Sequence, residues 1–159
     1  MRNQALLLKA EQQFYLLSLE KLARLRFQTQ LTKGESQALL IPLNLSLDET
    51  QTQRWQTLKA PLAELGFAIS EKAWQGQIRL SVAQVPRLLR EQNLQQILLG
   101  LLDSQAVDLA HFFAKFAQIP TAYSLAEAVS WLAETEPLAK AELDKLKIEV
   151  DFSPFLAIC

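Results

Sequence analysis

The chain has 159 residues, 50% of them apolar, with 16 basic residues against 17 acidic and a net charge of −1 at pH 7. That length suits one compact domain or two small subdomains burying roughly 70% of the unfolded surface, and no stretch reaches the ~18 uninterrupted apolar residues of a membrane-spanning helix. The charge balance lacks the clustered lysine and arginine with which an autonomous DNA binder displaces phosphate counterions, so a nucleic-acid role would be local or borrowed from another domain.

Met1 to Lys9 contains an apolar run too short for a secretory signal. The single cysteine, Cys159, excludes an internal disulfide and fits a reducing, cytoplasmic setting. Two apolar runs, Leu6 to Ala10 and Phe14 to Leu19, flank Glu11-Gln12-Gln13 and predict a hairpin. A helix follows over about Leu19 to Gln30, burying Leu22, Ala23 and Phe27, exposing Lys21, Arg24 and Arg26, and stopping at Gly34. Leu39, Ile41, Leu43, Leu45 and Leu47 alternate along a strand with one buried face. Ser46 and Glu49 have capping-box spacing for a helix that buries Trp55, Leu58, Leu62 and Leu65 and ends at Gly66. Pro61 inside it predicts a kink or a break.

A second hairpin is expected around Gln75-Gly76, with Phe67 and Ile69 before it and Ile78, Leu80 and Val82 after. Leu94, Ile97, Leu98, Leu101 and Leu102 mark one helix, and Leu109, Phe112, Phe113 and Phe116 another. Ser124 and Glu127 form a further capping box, opening a helix that buries Leu125, Ala128, Val129 and Leu132 until Pro137 interrupts. Ile148, Val150 and Phe152 alternate as a last strand, stopped by Pro154. The chain is therefore α+β or α/β, with no solenoid repeat and no glycine-rich linker. Any subdomains must share chain crossings.

Gln37-Ala38-Leu39-Leu40-Ile41-Pro42 is the most informative stretch. Its aliphatic pair can fill a hydrophobic pocket while the glutamine amide donates and accepts hydrogen bonds at a fixed offset. Pro42 cannot donate to a ladder, so it belongs at an edge or a strand start, where the backbone stays reachable. Two readings follow: a docking peptide whose binding residues are Gln37, Leu39, Leu40 and Pro42, or an edge strand whose proline blocks aggregation.

With QALLIPLNLSLDE, LAELGF (Leu62 to Phe67) and QIRLSVAQVPRLLREQNLQ (Gln77 to Gln95) in that order, the chain resembles the C-terminal domain of MutL DNA mismatch-repair proteins, closest to the enterobacterial-type branch. The likeness runs from about Leu6 to about Pro154. It implies a two-lobed α+β fold, with residues 1–30 and 120–159 as a dimerisation lobe and 31–119 as an inserted partner-docking lobe. It also implies that QALLIP is a motif for the DNA polymerase processivity clamp. Expected partners are a second copy, MutS, MutH, a repair helicase and the clamp, with DNA touched at most weakly and no membrane. An ATPase would lie in a separate N-terminal domain.

The resemblance departs at the chemistry. Many MutL relatives carry a metal-dependent endonuclease motif here: Asp-Gln-His-Ala, a Glu after two residues, and another after four more. Hard carboxylate and imidazole ligands of this kind hold the ion and activate water. The matching positions hold Ser18, Leu19, Glu20, Lys21, Arg24 and Thr29, and none of them matches. The family's distal cysteine–histidine motif has no counterpart between Leu143 and Phe152, and His111 shares the polar side of its helix with Asp108, Lys115 and Gln118. With one histidine and one cysteine, far apart, a zinc site has no ligand set. No glycine-rich phosphate loop or nucleophile–base pair stands out. The expectation is a domain that is not an enzyme, with no metal and no cofactor. The alternatives are a degenerate endonuclease using other carboxylates, and a DNA-binding module using Arg24, Arg26, Arg87 or Arg90 or a platform of Trp55, Trp74 and Trp131.

Overall fold

The computed structural model describes residues 5–119 and 124–156. Met1 and Cys159 lie outside the described residues. The fold is α+β, and the chain divides into two compact units, residues 1–29 with 119–159, and Gln30–Gln118. Among the described residues no helix is long and apolar enough to cross a membrane.

In the first unit, strands β1 (Ala5–Ala10) and β2 (Gln13–Ser18) form an antiparallel hairpin, and β6 (Ile148–Val150) pairs with the free side of β2. Leu6 and Leu17 stand opposite each other on the inner face. They cluster with Leu19, Leu22 and Leu25 of helix α1 (Leu19–Leu31) and Ala128, Ala139 and Leu143 of helix α5 (Leu125–Leu146). Each such leucine withdrawn from water contributes roughly 1.5–3 kcal/mol, the main force holding so small a sheet against its helices. Phe27, expected inside, is half-buried.

Helix α5 opens on the expected capping box: Ser124 Oγ accepts from the Glu127 N–H at 3.1 Å, and Glu127 Oε2 accepts from the Ser124 N–H at 3.0 Å. Its inward stripe runs through Ala128, Thr135, Ala139 and Leu143. Leu125 and Val129 were expected inside, yet they are 66% and 53% exposed. Three- and four-residue steps from Ala128 lead to Leu132, Thr135 and Ala139, and that phase turns Leu125 and Val129 outward. The interruption expected at Pro137 falls two residues later, at Ala139, whose backbone leaves helical geometry (φ −146°, ψ 46°). The last strand stops at Val150 instead of Phe152. Asp151 Oδ1 accepts from the Ser153 N–H at 2.9 Å and turns the chain into a single helical turn, α6 (Ser153–Leu156).

The second unit contains β3 (Ser36–Leu47), helix α2 (Glu49–Leu65), β4 (Ala68–Trp74), β5 (Gln77–Pro86), a short 3-10 turn (Arg87–Leu89), α3 (Leu94–Leu102) and α4 (Leu109–Phe116). The sheet is antiparallel in the order β3-β5-β4. Gln75 and Gly76 both have positive φ, 48° and 79°, the geometry a two-residue hairpin needs to match strand twist. Leu45, Leu47, Leu80 and Val82 are buried, as are Trp55, Leu58 and Leu62 on α2 and Leu98, Leu101 and Leu102 on α3. Phe67 stacks on Phe113 with centroids 5.5 Å apart. Leu65, predicted inside, is half-buried, and Phe116 is 54% exposed at the end of α4.

The cap of α2 lies two residues beyond Ser46 and Glu49. Asp48 Oδ1 accepts from the Gln51 N–H at 2.7 Å, and Gln51 Oε1 accepts from the Asp48 N–H at 3.1 Å. Leu45 and Leu47, opposite Leu80 and Ile78, are buried and hold Ser46 in the ladder opposite Arg79. Helix α2 runs unbroken through Pro61. Proline removes the bond to the carbonyl of Thr57, but that residue is exposed, so water can satisfy the orphan. Gly66 ends the helix at φ 104°, donating to the Ala63 carbonyl while Phe67 N–H reaches the Leu62 carbonyl. This pair of bonds requires a left-handed residue, which glycine supplies without a Cβ penalty.

Candidate partner-docking site

Gln37–Pro42 lies on β3, an edge strand of its sheet. Ser36, Gln37 and Ala38 pair with Pro86, Val85 and Gln84, and pairing resumes at Leu43 opposite Val82. Four residues, Leu39 to Pro42, thus stand against Ala83 alone. The excess loops out of the ladder as a wide bulge, which is where a proline without an N–H costs a sheet least. Ile41 was expected inside by strict alternation, but the bulge breaks the period, and Ile41 is 82% exposed beside Leu40 at 91%. Leu39 is half-buried and Pro42 exposed. Gln37 is held by its backbone in the ladder, while its side-chain amide makes no hydrogen bond to the described residues.

A pair of adjacent aliphatic side chains thus projects into water from a segment anchored by sheet pairing on both sides. Such a segment costs little entropy to bind, because its backbone is already fixed. It can place apolar side chains in a pocket and offer an amide for directional hydrogen bonds, but it holds no group capable of proton transfer or nucleophilic attack.

The first unit presents a second apolar surface. Leu7 is directly opposite Leu16, and Leu16 directly opposite Ile148, so the three form one row across β1, β2 and β6 on the outer face. They are 55%, 39% and 62% exposed. A row of three aliphatic side chains crossing a whole sheet differs from a scattered surface leucine and is a candidate association face.

The residues at the nuclease-motif positions serve local structure. Glu20 pairs with Arg24 at 3.2 Å, and Ser18 Oγ accepts from the Lys21 N–H at 3.3 Å. Arg26 bonds Glu134 at 2.9 Å and lies over the Trp131 ring at 5.1 Å. His111 is exposed on α4, and its backbone N–H caps onto Asp108. Among the described residues no three His, Cys, Asp or Glu side chains gather as a metal site. Trp55 is buried and donates to Glu71 Oε2 at 2.8 Å, which removes it from any stacking platform; Trp131 is half-buried in the first unit, and Trp74 is exposed in the second.

An α+β chain of two units, with an apolar sheet face on one and an apolar bulge on the other, has the attributes of an association domain. The family model described as the MutL C terminal dimerisation domain matches residues 1–135. The chain belongs to that family. It is 87% identical over 158 residues to the DNA mismatch repair protein MutL of Actinobacillus pleuropneumoniae serotype 3 (strain JL03), an alignment covering 99% of this chain and 25% of that protein. It is 42% identical over 140 residues to MutL of Haemophilus influenzae strain Rd, covering 86% of this chain and 22% of the relative. With MutL of Pasteurella multocida strain Pm70 the identity is 36% over 163 residues, 97% of this chain and 26% of the relative. The chain spans about a quarter of the length of the curated relatives it matches.

Proposed function

We propose that this chain is the non-catalytic part of a longer MutL-type mismatch-repair protein, where it pairs two copies and docks partners. Residues 1–30 and 120–159 supply the dimerisation lobe, through the Leu7–Leu16–Ile148 row, and 31–119 the docking lobe. Gln37–Pro42 binds the DNA polymerase processivity clamp, with Leu40 and Ile41 entering a hydrophobic pocket, Leu39 shared with its own sheet, and Gln37 making the directional hydrogen bonds. The observation that carries this reading is the bulge, which leaves Leu40 91% exposed on a segment held at both ends by β5. By the relationship to MutL, further partners are MutS, MutH and a repair helicase, and the setting is cytoplasmic.

In this reading the domain does no chemistry and needs no metal or cofactor. The residue types at 18–21, 24 and 29 support that, since serine, leucine, lysine, arginine and threonine there leave Glu20 as a single hard ligand, already paired with Arg24. Strand incision then falls to a separate endonuclease.

Cross-linking to a clamp loaded on DNA tests the docking step. Gln37→Ala is expected to lower cross-linking with the melting temperature and self-association little changed, because a half-buried amide that makes no hydrogen bond to the described residues adds little to folding. Undiminished cross-linking would leave Gln37–Pro42 as an edge strand only. Reproducible nicking of supercoiled plasmid by the pure chain with Mn²⁺, above mutant controls, would defeat the non-catalytic reading.

A further inference from the structure

We infer that the outer face of the β3-β5-β4 sheet is a contact surface for single-stranded nucleic acid, binding phosphates through Lys72 and Arg79 and a base against Trp74. The register puts Arg79 of β5 directly between Lys72 of β4 and Ser46 of β3. Two cations therefore face each other across adjacent strands, an arrangement that lowers sheet stability when nothing neutralises it. Neither cation has an ion-pair partner among the described residues.

Alternation keeps carboxylates off this face. Glu71 lies between Ser70 and Lys72 in sequence but points to the opposite side, where it accepts from Trp55 Nε1 at 2.8 Å and stands 4.0 Å from Lys59 Nζ. Asp48, just past the end of β3, is committed to the cap of α2. The row beside the cations is Asn44, Ser81 and Ser70, which are neutral hydrogen-bonding groups. Trp74, two residues from Lys72 on the same face, is 47% exposed, with the Arg79 guanidinium 5.4 Å from its ring centroid.

Each component has a counterpart in a polynucleotide. Opposed cations find their missing anions in successive phosphates, hydroxyl and amide groups match phosphate and sugar oxygens, and an exposed indole offers a stacking platform that any base can use. An acidic peptide would satisfy the cations but leave the indole unused. The near-neutral chain as a whole makes the contact weak and local.

The test uses the 159-residue chain and a fluorescently labelled oligothymidylate, followed by anisotropy across a salt series and by tryptophan emission. Wild type is expected to bind weakly at low salt, with emission quenched, and Trp74→Phe to lose that quenching. Lys72→Gln/Arg79→Gln is expected to lower affinity about tenfold or more and to flatten the logarithmic salt slope by about 1.4, two phosphate contacts at ~0.7 each for a single strand. Circular dichroism and the melting temperature establish that these surface variants are folded. No salt-dependent binding by wild type, or equal binding by the folded double variant, overturns the inference. Displacement of the oligonucleotide by polyglutamate at equal charge concentration, with the same quenching, assigns the face to acidic peptides and also overturns it.

Discussion

Ser36 Oγ donates to the carbonyl oxygen of Gly66 at 2.8 Å, and a Cβ placed on Gly66 would meet that same hydroxyl oxygen at 2.1 Å. The end of α2 and the start of β3 are thus fitted to each other with no room for a methyl group. Gly66→Ala adds this clash to a backbone at φ 104°, a region that costs an L-residue about 1–2 kcal/mol. The expected loss in a urea titration is about 1–2 kcal/mol or more. Adding Ser36→Ala should recover only the clash, so the double variant stays below Ser36→Ala alone. Equal stabilities for those two would mean that the glycine conformation carries no cost here.

Asp151 predicts a pH effect. Its carboxylate accepts from both the side chain and the backbone N–H of Ser153, which hold its pKa below the ordinary aspartate value. A carboxyl whose folded pKa is depressed adds stability that is fully present above the unfolded pKa, near pH 4, and is lost as pH falls through the folded value. The stability difference between wild type and Asp151→Asn should therefore be flat above about pH 5 and shrink as pH falls below about 4. Denaturation series between pH 3 and 7 measure it, and a difference constant through pH 3 would assign the bond no charge dependence.

Much of the fold was legible because its signals are local. Ser124 and Glu127 satisfy each other's backbone within four residues, Gln75-Gly76 fits a two-residue turn, and α3 carries a clear apolar stripe. The misplacements arise where a longer-range partner overrides a local pattern. Ser46 resembles a helix cap until the burial of Leu45 and Leu47 keeps it in the strand, and Asp48 then caps instead. Ile41 follows the alternation of its strand, but β5 offers one residue against four, so the pattern cannot be obeyed. Periodicity identifies an apolar face without fixing which of its residues the fold covers: the inward stripe of α5 runs through Ala128, Thr135, Ala139 and Leu143 and leaves Leu125 and Val129 outside, and Phe116 is exposed at the end of α4. The Gln37–Pro42 string stands out in the sequence, whereas the outward projection of Ile41 from the bulge does not.

The outer row of the first unit gives a prediction on association. Leu16 sits between Leu7 and Ile148, so a charge there would be desolvated if that face is covered by a second copy. Leu16→Lys is expected to shift the chain from a dimer to an 18.0 kDa monomer at tens of micromolar in sedimentation equilibrium, while the monomer keeps its fold because Leu16 is 39% exposed. A dimer that survives Leu16→Lys places the interface elsewhere.

Reversing one member of the opposed cation pair should stabilise the second unit. Lys72→Glu puts a carboxylate directly across from Arg79, replacing a cross-strand repulsion by an attraction. The expected gain is about 0.2–1 kcal/mol at low salt, shrinking as ionic strength rises, because both groups are exposed. Thermal melts at two salt concentrations measure it. A lowered melting temperature at low salt would show that the wild-type pair is not repulsive.

Leu40 and Leu45, five residues apart on one strand, should separate docking from folding. Leu45 is 3% exposed beneath the sheet, whereas Leu40 is 91% exposed on the bulge. Leu45→Ala is expected to cost about 2–5 kcal/mol of stability, the range for a buried leucine leaving a cavity. Leu40→Ala should change stability by no more than about 0.5 kcal/mol. If Gln37–Pro42 docks on the clamp as proposed, the effect falls on clamp binding: burying a leucine in a pocket contributes roughly 1.5–3 kcal/mol, and each 1.4 kcal/mol is tenfold in affinity. Cross-linking of the folded Leu40→Ala protein to a loaded clamp should therefore fall at least about tenfold. If it falls only in proportion to a loss of folded protein, the exposed leucine is a feature of the bulge and not a binding anchor.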